Sequence, residues 1–332
     1  MMKRCTVAIL AFLAPLLLLA CGGGSSSGPD GDQDTEATDA AEEAGEDLAD
    51  TPEQDDAEVS ADTEDIDGQD ETPAPCDATR VTGVSGAVTN ADGAPLPGVA
   101  VVACVFSQSE GDACLNPVST GTNGRFAVTV PENRQCMDSL VLRYLPPNLD
   151  DAVMTCPLPL GSGGALETPF TPKVLPLPDT SRQTLGVETE PHQVTAHDGS
   201  VLTVTPAHID AFGQGYDDIR ILAWDAVTHG WPCFINQSDP PDLLWAILPE
   251  ADLAGVDSAR FDAPNTPHLP SGATVDVYLL GGVHTETHLG LAVPEGQWTS
   301  LGTATVSTDG SRIVTDEGQG LPFFTWLGFK VR

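Results

Sequence analysis

Positive charge is what this chain has least of. Its 332 residues hold 13 Lys or Arg against 49 Asp or Glu, for a formal net charge of −36. Such a chain repels phosphate backbones and anionic headgroups, which argues against nucleic acid or anionic lipid as partners. Cations, cationic peptides, neutral glycans and other proteins remain compatible. Aromatics are scarce too, at 5% of residues. Several chemical signatures are also missing. No glycine loop of the phosphate-binding kind precedes a helix, and no His-Glu-x-x-His pattern of the zinc peptidases occurs. Arg80 to Leu145 has no sustained helical period.

Two of the few cations stand at the N-terminus. Lys3 and Arg4 precede an apolar run from Val7 to Ala20, interrupted by Pro15. A membrane span needs about 20 apolar residues, so this shorter run reads as a cleaved export signal over residues 1–20. It ends in Leu18-Leu19-Ala20-Cys21, and Gly22-Gly23-Gly24-Ser25-Ser26-Ser27 follows at once. These residues resemble the lipobox of bacterial lipoproteins. The resemblance implies lipidation of the Cys21 thiol and cleavage before it. The acyl chains would anchor the protein to the membrane at about 0.8 kcal/mol per buried CH₂. Gly22 in place of Asp implies, by likeness to diderm lipoproteins, the outer membrane of the cell envelope, with the protein facing the periplasm or the exterior.

Between Asp30 and Glu71 lie twenty Asp or Glu residues, no Lys or Arg and no aromatic. Such a segment buries too little apolar surface to offset its ordering entropy, so residues 21–75 read as the lipidated cysteine and a disordered acidic linker. Its reach is roughly 40 Å root-mean-square before self-repulsion extends it. Asp30, Asp32 and Asp34 begin like an EF-hand loop, but Thr35 replaces the glycine and Ala41 the bidentate glutamate. The calcium reading fails there.

From Arg80 onward the chain reads as short strands and turns. Val81–Thr89, Val99–Phe106, Arg125–Val130 and Leu140–Tyr144 are strand-like, and Thr122-Asn123-Gly124 is a hairpin-type signal. Val84-Ser85-Gly86-Ala87-Val88-Thr89, Asp92-Gly93-Ala94-Pro95-Leu96-Pro97-Gly98-Val99 and Thr122-Asn123-Gly124-Arg125-Phe126 resemble the carboxypeptidase regulatory-like domain. That resemblance implies a small prealbumin-like β-sandwich over 76–176, without catalytic residues and serving as a structural or binding module. The insertion between Ser107 and Ser119 departs from the family pattern.

Leu145–Asp179, rich in Pro and Gly, reads as an irregular connection. Beyond it, Gln193–Thr205 around an Asp198-Gly199 turn, Asp218–Asp225, Ala273–Leu280, Trp298–Ser307, Ile313-Val314 and Pro322–Val331 predict strands. Short helices are expected near Pro206–Phe212 and Pro249–Val256. The fold class expected is therefore all-β, with two antiparallel β-sandwich domains at 76–176 and 177–332.

Candidate chemistry is sparse. His284, Glu286 and His288 alternate, so on a strand they share one face and form the best candidate metal site. The competing reading is an exposed polar face. Gly161-Ser162-Gly163-Gly164 lacks the strand–turn–helix setting of a serine nucleophile. Trp224, Trp231, Trp245, Trp298 and Trp326 all fall in the second half, making it the more apt half for binding, although core packing is the default for most of them. With Cys5 in the signal and Cys21 lipidated, Cys76, Cys104, Cys114, Cys136, Cys156 and Cys233 remain as disulfide candidates in an oxidising compartment. Cys104–Cys114 is the favoured local pair. Only Cys233 lies in the second half, so full pairing requires one bridge across the halves, or else a different boundary between them. The sequence thus predicts a non-enzymatic, lipid-anchored envelope protein binding a protein or glycan, or serving a structural role, with no cofactor. The alternative is a metal-dependent enzyme or metal-binding protein at His284, Glu286 and His288.

Overall fold

The computed structural model describes residues 76–332 except 110, 149–150, 179–182, 185–188, 211–217, 255–258 and 283–291. The signal (1–20), Cys21 and the acidic segment (22–75) lie outside the described residues, as do His284, Glu286 and His288. The described residues belong to one unit, Glu71–Arg332, and are dominated by β-strands.

The first half forms two layers. Thr79–Ala87 pairs antiparallel with Arg125–Thr129, parallel with Gly164–Glu167, and at its start with Cys136–Met137. Opposite it, Ala100–Phe106 pairs antiparallel with Ser139–Leu145, which pairs with Met154–Leu158. Ala113–Cys114 and Val118–Ser119 join the other edge of Ala100–Phe106. Alternation along Arg125–Thr129 buries Phe126 and Val128 and exposes their neighbours, as a strand with one solvated face requires. Phe126 meets Tyr144 of the opposite layer edge-on, ring centroids 5.9 Å apart. Val81, Val84, Val101 and Leu142 share that core.

Two local expectations change. Thr122-Asn123-Gly124 is a turn, but the strands it joins lie in different layers, since Val118–Ser119 pairs with Ala100–Phe106 and Arg125–Thr129 with Thr79–Ala87. Gly124 serves a close approach there: at φ 71°, an added Cβ would come within 2.6 Å of the Val88 carbonyl oxygen. The expected irregular stretch Leu145–Asp179 instead holds strands Met154–Leu158, Gly164–Glu167 and Lys173–Val174. Pro157 is tolerated because Met154–Leu158 is an edge strand, where a missing N–H leaves no ladder bond unmade.

The second half is one eleven-stranded sheet. Its central run places Asp218–Ala223, Leu243–Leu253, Phe323–Val331, Thr274–Leu280 and Trp298–Val306 side by side, all antiparallel. Arg312–Thr315, Ala259–Pro264, Val201–Val204 and His192–Thr195 continue it. The sheet curls back on itself into a sandwich, so Val194 and Leu202 near one end share a core with Ile221 and Phe329 near the other. Trp245 packs against both Phe261 and Phe329, at 4.9 and 5.2 Å.

Leu243–Leu253 has no solvated face over most of its length. Trp245 and Ile247 point into the second core, while Leu244, Ala246 and Leu248 join the core of the first half. The helix expected near Pro249–Val256 is therefore replaced by the end of a strand, and the ladder register shifts between Ala246 and Ala251 to accommodate Pro249. Near Pro206, a 3-10 turn spans Pro206–His208.

Candidate functional site

Six cysteines form three disulfides: Cys76–Cys136, Cys104–Cys114 and Cys156–Cys233. The last is the bridge across the halves. It draws the loop after Gly230 against the first sandwich, and beside it a cleft of about 250 Å³ opens.

One wall of the cleft is Pro169–Lys173. Thr168 N–H donates to Ser85 O at 2.9 Å, and Thr89 N–H to Pro172 O at 3.0 Å, so both ends of this segment are tied to the first sandwich. The other wall is a short helix, Ala226–His229, and the loop beyond it. Asp225 caps that helix by accepting from the N–H groups of Val227 and Thr228 at 2.9 and 3.3 Å. Hydrogen bonds from Thr228, first its hydroxyl and then its N–H, hold the Asp225 carboxyl below its ordinary value. Gly230 ends the helix at φ 76°, and its carbonyl accepts from Trp224 Nε1 at 2.7 Å. His229 lies against the Trp224 ring at 5.6 Å.

The lining is aromatic and proline-rich, with a few polar groups. Phe170, Lys173, His229 and Trp231 are half-buried and Gln237 is exposed. No carboxylate contributes to it among the described residues. His229 Nδ1 is buried without a hydrogen-bond partner. Lys173 makes no ion pair, and the Trp231 indole N–H has no acceptor, among the described residues.

The tryptophans divide by role. Trp245 and Trp326 are fully buried and Trp224 nearly so. Trp326 is an aromatic hub, edge-on to Trp224 at 5.2 Å and to Phe234 at 5.1 Å. Trp298 is stacked on Tyr278 at 6.0 Å. Of the five, Trp224 and Trp231 line the cleft, and Trp231 is the less buried of the two.

Other candidates are occupied or sealed. A shallower depression of about 490 Å³ near Phe106 carries Asp112 and Asp138. Both are engaged, accepting from the N–H groups of Ser107 and Gln108 at 3.3 and 2.8 Å. Burial pushes the Tyr144 phenol above its ordinary value, but that hydroxyl is enclosed in the first core. Cys104, Cys114 and Glu295 approach one another, yet the two sulfurs are consumed in their disulfide. Ser162 sits in a tight exposed turn, where a Cβ on Gly163 would meet Arg80 O at 2.4 Å. That turn serves strand packing.

Sequence reading named Trp224 and Trp231 among the five tryptophans and missed Phe170, Lys173, His229 and Gln237. The two walls are some fifty positions apart and share no motif; the only sequence signal linking them was the demand for a disulfide between the halves.

No protein-family model matches the chain, and no curated protein matches it. Among solved structures it is similar to the shaft pilin spaA of Lactobacillus rhamnosus GG, at 12% identity over 54% of this chain and 89% of that one, TM-score 0.21. A single-site mutant of that pilin gives 13% identity, 53% and 88% coverage, and TM-score 0.21. The major pilin SpaD of Corynebacterium diphtheriae gives 13% identity over 76% of this chain and 56% of that one, TM-score 0.23. At such TM-scores the likeness identifies no family and transfers no property. The class that the fold itself defines is a disulfide-bonded β-sandwich protein.

Proposed function

We propose that this protein is a lipid-anchored component of a bacterial cell envelope, held at the outer membrane through Cys21, whose non-catalytic β-sandwich halves (76–176 and 177–332) present a ligand-binding cleft on an acidic tether. In this reading the first half is a carboxypeptidase regulatory-like domain acting as scaffold. The observation that carries the proposal is cysteine use. The six cysteines beyond Cys21 are consumed in three disulfides, which suits an exported protein and, with Cys5 removed in the signal, leaves Cys21 for lipid.

The cleft is the binding element because it combines aromatic surface with Lys173, which has no ion pair among the described residues, and no described residue around it supplies a nucleophile with its base. A protein or glycan ligand fits such a lining. The test of the anchor is fractionation. Cys21→Ser should move the full chain from the membrane to the soluble fraction and abolish incorporation of labelled fatty acid. Retention in the membrane would overturn the anchor.

A further inference from the structure

The polar lining of the cleft runs against the charge of the whole chain. Forty-nine acids are distributed over the sequence, yet none lines the cleft among the described residues. Lys173 and Lys330 are the two lysines beyond the N-terminal segment. Lys330 is paired with Asp239, whereas Lys173 has no ion pair among the described residues. Lys173 shares the cleft lining with Phe170 and with Trp231, whose indole N–H has no acceptor among the described residues.

His229 Nδ1 is sealed from solvent, so the groups a ligand can reach in the cleft are Lys173 and the half-buried rings of Trp231 and Phe170. Trp231 and Phe170 add apolar ring faces suited to the C–H face of a sugar ring. The volume is below the roughly 300–1,000 Å³ of pockets that enclose drug-sized ligands. It suits a single ring with the rest of a chain running out to solvent. A free ammonium without a neighbouring carboxylate selects an anion through a charge-assisted hydrogen bond.

We infer that the cleft binds an acidic sugar residue, a hexuronate unit of a glycan, with its ring on Trp231 and its carboxylate on Lys173. This rests on the reading of the cleft as a binding site, and it adds an acidic glycan to the cations, cationic peptides, neutral glycans and proteins that net charge alone leaves compatible. The negative charge of the remaining chain slows the approach of an anion, but it is screened beyond about 8 Å at physiological salt, so the groups in contact decide selection.

Calorimetric titration of the full-length protein with a short oligouronate, and in parallel with the neutral oligosaccharide of the same linkage, tests this. The uronate should bind at least tenfold more tightly. Lys173→Met should erase that difference, Trp231→Ala should abolish binding of both, and Trp231→Phe should retain it. Equal affinity for the two sugars would overturn the acidic class while leaving the cleft as a site. No heat from either would overturn the inference and leave a protein as the cleft's ligand. Uronate binding unaffected by Lys173→Met would also overturn the inference.

Discussion

Cys156 is bonded to Cys233, 77 positions further on, and the bond joins the edge strand Met154–Leu158 to the loop that lines the cleft. A cross-link closing so long a loop removes much unfolded-state entropy. Replacing both cysteines with Ala should lower unfolding free energy by about 2–4 kcal/mol in denaturant titration. The loss should be local as well as global. Amides around Cys233 and Ile235 should lose hydrogen-exchange protection in the variant, while those of Ile221 and Trp245 keep theirs. Unchanged protection around Cys233 would mean that packing by Phe234 and Ile235 alone holds the cleft wall.

A second link between the halves is ionic. Arg143 Nε donates to Glu295 Oε1 at 2.5 Å, with side-chain exposures of 15% and 6%. The strand Ser139–Leu145 is buried on both faces because the Pro294–Gln297 turn covers Val141 and Arg143. A Cβ on Gly296 would touch Val141 Cγ2 at 3.0 Å. Removing one member leaves the other charge desolvated and unpaired. Glu295→Leu should therefore cost about 3–5 kcal/mol, and adding Arg143→Met should recover most of it. A double variant as unstable as the single one would show that the pair contributes more than charge compensation.

Legibility of the sequence follows how many faces of each strand are solvated. Arg125–Thr129 was plain in the sequence because alternate residues meet water, and period-two patterning survives only there. Leu243–Leu253 was not, because Leu244 and Trp245 are both buried, each in a different core, so its central part reads as a continuous apolar run. The short helix expected near Pro249–Val256 falls where the ladder register shifts and the strand runs on to Leu253. The cysteine count required a bridge between the halves, and Cys233 was its fixed end. Its partner depended on which strand edge lies nearby, which is a tertiary fact. The cleft was illegible for the same reason, since Lys173 and Trp231 meet only after both halves have folded. The expected metal trio His284, Glu286 and His288 lies outside the described residues and remains a rival proposal. Stoichiometric zinc in the purified full chain, lost in His284→Ala with His288→Ala, would establish it.

Trp326 couples the same two halves through the core. Its Nε1 donates to Val153 O at 2.9 Å, and its ring lies edge-on to Trp224 and Phe234. Trp326→Ala should cost about 3–5 kcal/mol, as truncation of a buried aromatic does. Trp326→Phe should cost less, because it keeps part of the ring packing and loses the hydrogen bond, a net term of about 0.5–1.5 kcal/mol, together with the indole's extra volume. A phenylalanine variant as damaged as the alanine one would show that the indole N–H fixes the relation between the halves.

Asp309 makes a prediction about pH. Its carboxylate accepts from Ser307 Oγ at 2.6 Å and from Ser311 N–H and Oγ at 3.0 and 2.8 Å, closing the turn before strand Arg312–Thr315. These bonds, that from the Ser307 hydroxyl foremost, lower its pKa to about 2. A carboxyl depressed on folding stabilises the folded chain above its unfolded value, and the contribution fades as pH falls toward the folded one. The window therefore runs from about 3.9, the ordinary aspartate value, down to about 2. Carboxyl-detected NMR titration should place the Asp309 midpoint near the lower end. Asp309→Asn should flatten that part of the stability profile and leave neutral-to-basic behaviour parallel to the parent. A midpoint at the ordinary value would mean that the turn is held by Ser307 and Arg312 backbone bonding alone.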